Sequence, residues 1–215
     1  ELDIYGILGM SCNGAFDTIA QTLNSTKWQK LAEDFGYNQS DRSQVDFAYK
    51  KSHFDIASDD SVWSRMQLAI GQGTTTVTPL LNLMMYAAIA NDGVMMTPYL
   101  VDHYLDANGN VVEQTKPKAL RSVCTKAEAE LMDEFLTYVI TNGTAAAGGS
   151  QYARVSGKTG SAQYDSTKNY HAWFCGYGTN DVSEIAVCVM IEKGGAGGIV
   201  AAPVAGQIFD YYFSR

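Results

Sequence analysis

The chain has 215 residues, 46% of them apolar, and carries a formal net charge of −8 at pH 7. That length buries a sizeable core, as one domain or as one domain plus a lobe. The acidic balance, with no basic cluster to override it, excludes a nucleic-acid partner, and no run of 18 apolar residues is present to span a membrane.

The opening stretch, ELDIYGILGM, has no initiator Met and no basic n-region, so it does not read as a signal peptide. It reads as the start of a piece of something longer. The next segment, SCNGAFDTIAQTL, predicts a turn feeding a helix over 13–23, with Phe16, Ile19, Ala20 and Leu23 on one face. A short helix over 28–35 is expected after it, and 36–61 reads as a polar, irregular surface excursion. In VTPLLNLMMYAAIANDG, Thr78 is a natural N-cap, Pro79 takes the first helical position and Asn91-Asp92-Gly93 closes the element. Its apolar residues run nearly all round, which predicts burial. Residues 99–105 form a strand candidate. TKAEAELMDEFLTYVITNG opens with a capping box, Thr125 to Glu128, and ends at Asn142-Gly143.

Beyond that point the period changes. Residues 153–163, 172–178 and 184–192 predict three strands in an antiparallel meander, followed by a helix with Pro203 near its start. In EIAVCVMIE, Ile185, Val187, Val189 and Ile191 fill one face while Ala186, Cys188 and Met190 fill the other. A strand apolar on both faces belongs in a covered sheet with neighbours on both edges. Only 172–178 is an obvious neighbour, so strands upstream of Glu1 are expected. The glycines of GGAGG, 194–198, lack the Lys-Ser/Thr of a phosphate-binding loop and read as a flexible connection.

Four cysteines occur, Cys12, Cys124, Cys175 and Cys188, with no Cys-x-x-Cys and no histidine at ligand spacing, so neither a zinc site nor a cofactor is implied. Cys175 and Cys188 are placed to face each other across a hairpin, as a strained disulfide or, preferably, as two free thiols. His53, His103 and His171 are scattered and read as surface or satisfied histidines.

Chemistry concentrates in SGKTGSAQY, 156–164, where a lysine sits between glycines inside a strand. Lysine is depleted from strand interiors and glycine weakens them, so this stretch reads as a polar surface for docking. Ser11-Cys12-Asn13 followed by Lys158-Thr159-Gly160 matches two of the three motifs of serine penicillin-recognising enzymes. The intervening Gly-Gln-Gly turn, Thr-Pro-Leu helix and Ala-Asn-x-Gly-Val close, with the tail GIVAAPVAGQIFDYYF, resemble the C-terminal part of the transpeptidase domain of class B penicillin-binding proteins. The resemblance runs from Ser11 to about Phe213.

It implies a mixed α+β fold: an antiparallel sheet flanked by helices, with a helical lobe over about 11–150 and the strands and last helix over about 151–215. It implies acyl transfer from peptides ending in D-Ala-D-Ala through an acyl-serine, with β-lactams as inhibitors. Under it Ser11 relays a proton, Asn13 holds the substrate amide, and Lys158 supplies positive charge beside both. Thr159 and Ser161 bind the terminal carboxylate, Ser161 N–H forms half of an oxyanion hole, and Gly160 leaves room for substrate along the strand.

The attacking group of that family is the serine of a Ser-x-x-Lys motif, and no Ser-x-x-Lys occurs in this chain. The resemblance therefore places the nucleophile helix, with further strands and a membrane anchor, before Glu1. The implied partners are peptidoglycan stem peptides, β-lactams and that upstream fragment, at the extracytoplasmic face of the bacterial cell membrane. Other readings are a non-catalytic relative serving as cell-wall peptide sensor or scaffold, and a β-lactamase or D,D-carboxypeptidase. The Gly-Gln-Gly turn and Thr-Pro-Leu helix favour the transpeptidase.

Overall fold

The computed structural model describes residues 2–39, 45–56, 59–165, 167 and 169–215. Helix α1 (Ile4–Gly9) starts at Asp3, whose carboxylate accepts the Gly6 N–H at 2.8 Å. After a three-residue turn, α2 (Asn13–Thr22) leads into α3 (Ser25–Asp34). The latter begins three residues before its apolar pattern, because Asn24 accepts the Lys27 N–H and supplies a cap.

Of the stretch over 36–61, residues 40–44 and 57–58 lie outside the described residues, and the rest is more than a surface excursion. Phe54 and Ile56 are buried and pack with Leu68 of α4 (Val62–Ala69) against Trp28, Ala32 and Tyr37. Two apolar residues two apart are too few to register as a pattern. In α5 (Pro79–Ala90) Thr78 Oγ1 accepts the Leu81 N–H at 3.1 Å and Pro79 opens the helix. All-round burial is not found: Leu81 and Ala88 are buried, whereas Met85, Tyr86 and Ile89 line a cavity of about 330 Å³.

Two small ribbons follow. Strand β1 (Val94–Met96) pairs with β4 (Ala119–Ser122), and β2 (His103–Leu105) pairs with β3 (Val111–Gln114). The strand expected over 99–105 is thus confined to its last three residues, which turn back on β3. Helix α6 (Lys126–Asn142) carries the capping box: Thr125 and Glu128 satisfy each other's backbone N–H groups.

The main sheet is β5 (Arg154–Gln163), β6 (Tyr170–Thr179) and β7 (Glu184–Ile191), antiparallel in that order. Against one face lies α7 (Gly197–Phe213), whose Ala201, Ala202, Ala205 and Phe209 pack on Ala172, Phe174 and Val187. This helix starts six residues ahead of Pro203, since Gly197 and Gly198 are helical. Among the described residues β7 pairs only with β6 and β5 only with β6, so both outer edges are unpaired.

Helix α6 is fastened to the sheet through Asp133. Its carboxylate accepts from Tyr177 Oη at 2.6 Å, Ser156 Oγ at 2.7 Å and Arg154 Nη1 at 2.7 Å. Burial raises the Asp133 carboxyl pKa, but those hydrogen bonds and the guanidinium outweigh it and hold the group below its ordinary range. A depressed pKa stabilises the fold above the unfolded value and is lost as pH falls through the folded one. Asp133→Ala is expected to cost about 3 kcal/mol, because it removes the one carboxylate that accepts from Tyr177, Ser156 and Arg154 together and leaves the buried Tyr177 hydroxyl without its acceptor. Denaturant unfolding at pH 7 reads this, and the gap to wild type should close in acid.

Candidate active site

Three of the described helices end in the same way. In α3 the N–H groups of Gly36 and Tyr37 return to the carbonyls of Glu33 and Ala32, and in α4 those of Gly71 and Gln72 return to Leu68 and Gln67. Both are Schellman closures with glycine in the left-handed position, at φ 104° and 73°. Helix α1 closes identically, with Ser11 N–H on Leu8 and Cys12 N–H on Ile7. Its left-handed residue, however, is Ser11 at φ 53°. A serine held where glycine fits better points to a use for its hydroxyl, since such strain persists chiefly at functional sites.

The hydroxyl is aimed. Lys158 Nζ donates to Ser11 Oγ at 2.9 Å and to the Thr159 carbonyl at 3.1 Å. Helix α1 is held in place by Tyr5, which packs edge-on against Phe135 of α6 at 4.8 Å, and by Thr144 N–H on the Gly9 carbonyl at 3.0 Å. Ser11 and Lys158, 147 residues apart in the chain, therefore meet on two rigid elements.

They open onto a cleft of about 700 Å³, whose walls include Asn13, Gln72, Thr144, Thr159, Gly160, Ser161 and Ile199. Asn13 is exposed at the start of α2. Thr159 Oγ1 lies 3.2 Å from Thr144 Oγ1, and Ser161 Oγ accepts the Gly197 N–H at 3.1 Å. The structure thus gathers all six residues singled out in the sequence around one cleft. It adds three that the sequence reading passed over. Thr144 carries no motif, and Ile199 lies in the tail GIVAAPVAGQIFDYYF without having been singled out. Gly197, read as part of a flexible connection, is buried, and a Cβ there would sit 2.3 Å from the Gly160 carbonyl oxygen and 2.5 Å from that of Trp173. That glycine lets α7 abut the very strand that carries Lys158.

Among the described residues Lys158 has no carboxylate partner within ion-pair distance. Burial alone lowers its pKa from 10.5 to about 8. Such an amine exchanges protons near neutrality while retaining enough charge to attract an anion. In this chain the ¹³Cε resonance of Lys158 should titrate with a midpoint near 8; a midpoint near 10.5 contradicts the burial seen here.

An uncharged-to-charged lysine on a hydroxyl, beside an open strand edge, is an arrangement suited to acyl transfer. The family model described as penicillin binding protein transpeptidase domain matches residues 1–210. The chain belongs to that family. Among its relatives, the peptidoglycan D,D-transpeptidase PbpA of Mycolicibacterium smegmatis is 28% identical over 203 residues, covering 90% of this chain and 40% of that protein. The D,D-transpeptidase domain of a peptidoglycan glycosyltransferase from Eggerthella lenta superposes with a TM-score of 0.86 at 28% identity, over 97% of this chain and 52% of that one. Penicillin-binding protein 3 of Mycobacterium tuberculosis, solved with ampicillin, gives 0.82 at 25% identity, over 99% and 50%. The present chain therefore spans about two fifths to one half of the relatives it matches. The mixed α+β fold expected from the sequence is the fold of these transpeptidase domains. No described helix of this penicillin-binding protein chain is long and apolar enough to cross a membrane.

Proposed function

We propose that this chain forms the C-terminal part of a class B peptidoglycan D,D-transpeptidase and supplies its proton relay and carboxylate clamp. The observation that carries the reading is the 2.9 Å hydrogen bond from Lys158 to a Ser11 held at positive φ. In the proposed reaction a stem peptide lies along the free edge of β5, adding a strand to the sheet. Asn13 holds its amide, while Thr159 and Ser161 bind its terminal carboxylate. Ser161 N–H and a second donor polarise the scissile carbonyl, and Ser11 passes a proton to the departing D-Ala amine. Ampicillin bound to a relative supports β-lactams as ligands of the same cleft.

The attacking serine, in this reading, comes from another segment of the protein. No Ser-x-x-Lys occurs in the 215 residues. Behind Lys158 lies a cavity of about 220 Å³ bounded by Tyr37, Thr75, Tyr86 and Cys175; it shares Tyr37, Thr75 and Tyr86 with the 330 Å³ cavity under α5. Buried Thr75 Oγ1, without a hydrogen-bond partner among the described residues, looks onto both. An apolar helix bearing the serine and its lysine suits this space. The unpaired edge of β7 suits further strands of the same segment, whose anchor would hold the protein at the extracytoplasmic face of the membrane.

The test is Ser11→Gly in the intact protein. Glycine relieves the positive φ, so stability should rise by about 1 kcal/mol. Loss of the relay should slow penicillin acylation about a hundredfold. Acylation within twofold of wild type would remove Ser11 from the mechanism.

A further inference from the structure

Cys175 and Cys188 stand directly opposite each other on β6 and β7, and Lys158 stands opposite Cys175 on β5. Opposed residues of antiparallel strands share a face, so the three side chains form one row across the sheet. Cys175 Sγ and Cys188 Sγ are 3.2 Å apart, and both thiols are free. Cys175 is buried and lines the 220 Å³ cavity behind Lys158, whereas Cys188 is half-buried near the open edge of the sheet. Directly opposed residues hold their Cβ atoms about 4.5–5.5 Å apart, and a disulfide asks for about 3.5–4.5 Å. Rotation of the two side chains and a small local adjustment thus suffice to join them.

We propose that Cys175 and Cys188 are a reversible redox modification site in the wall behind Lys158, closed by exchange with a small-molecule or protein disulfide. The more exposed Cys188, as thiolate, attacks one sulfur of the oxidant disulfide and expels the other half as a thiol that takes up the proton Cys188 gave up. Cys175 then loses its proton and attacks Cys188 Sγ in the mixed disulfide. The Cys175–Cys188 bond forms, the second half of the oxidant leaves as a thiol, and the pair has given two electrons and two protons to the oxidant. The order follows from exposure, because Cys188 is half-buried and Cys175 is buried. The hydrogen bond between the thiols acts in the same direction, lowering the pKa of Cys188 and, together with burial, raising that of Cys175. The inference does not depend on the chain being a transpeptidase, since it uses only the strand register and the sulfur contact.

The experiment incubates the purified chain with oxidised glutathione and reads intact mass and disulfide-mapped peptides. The expected product has lost the mass of two hydrogen atoms, carries a Cys175–Cys188 link and returns to the starting mass with dithiothreitol. Cys175→Ser should accumulate a glutathione adduct on Cys188, and Cys188→Ser should leave Cys175 unmodified. A chain that stays fully reduced, a stable glutathione adduct on Cys188 in wild type, a link through Cys12 or Cys124, or labelling of Cys175 in Cys188→Ser would overturn the proposal.

Discussion

Lys158→Ala is expected to lower the second-order rate of penicillin acylation by the intact protein about a thousandfold, with no loss of stability. The two halves of that expectation come from the same fact. Lys158 sits in β5 with its amine at the cleft, on Ser11, and burial has pushed its pKa to about 8. The charged form is therefore penalised in the fold without a carboxylate among the described residues to repay it. An amine that deprotonates near pH 8 when folded and near 10.5 when unfolded leaves the unfolded chain holding more protons between those values. Its cost to stability is then full below pH 8 and fades as pH rises toward 10.5. Alanine removes that cost, so the variant should melt slightly higher than wild type at pH 7 and equally at pH 10.5. What it also removes is the cation hydrogen-bonded to Ser11 and, in the proposed reaction, a charge that a substrate carboxylate would meet. A residue whose loss improves the fold and ruins the chemistry is there for the chemistry. A rate within threefold of wild type, or a drop that tracks unfolding, would sink this assignment.

Gly197→Ala should cut acylation about a hundredfold while leaving the chain folded. The new methyl would lie 2.3 Å and 2.5 Å from two backbone carbonyl oxygens, those of Gly160 and Trp173, and backbone cannot rotate aside as a flexible side chain does. The start of α7 must back away from β5 and β6. In doing so it withdraws the Gly197 N–H from Ser161 Oγ and disturbs the strand at Gly160, the two positions assigned to substrate carboxylate and substrate backbone. Displacements of about 1 Å are enough for a loss of that size in a preorganised site. The core between α7 and the sheet, built on Phe174, Phe209 and Ala205, lies further along the helix and keeps its packing. Steady-state labelling with a fluorescent penicillin measures the rate, and far-ultraviolet circular dichroism confirms the fold. Unchanged labelling would show that α7 moves without consequence for β5.

How far these features could be read from the residues depended on whether a local signal existed. Thr78-Pro79, the Thr125–Glu128 capping box and the three successive strand runs of β5 to β7 with their short connections carry their physics in neighbouring residues, and all were legible. The site motifs were legible for a different reason, since their residue types at those spacings match a known family. What escaped was set by distant contacts. Helix α1 is six residues long, too short to be stable alone, and is held by Tyr5 on Phe135 and Gly9 on Tyr138. Nothing in SCN announces that Ser11 occupies a left-handed closure; only the comparison with Gly36 and Gly71 shows it. Gly197 looked like slack in a glycine run because the carbonyls it accommodates belong to residues 160 and 173. The burial of Phe54 and Ile56 likewise depends on α3 and α4, which no periodicity near residue 54 could signal.

On the proposed reading this chain furnishes the relay and the clamp of a penicillin-binding site while the attacking serine belongs to another segment. Intact mass after incubation with penicillin tests it most directly, on this chain and on a longer form of the protein that includes a Ser-x-x-Lys segment. The prediction is an unmodified 215-residue chain and one covalent penicillin on the longer form, at that serine. A penicillin adduct on the 215-residue chain alone would put the nucleophile among the residues described here and contradict the claim.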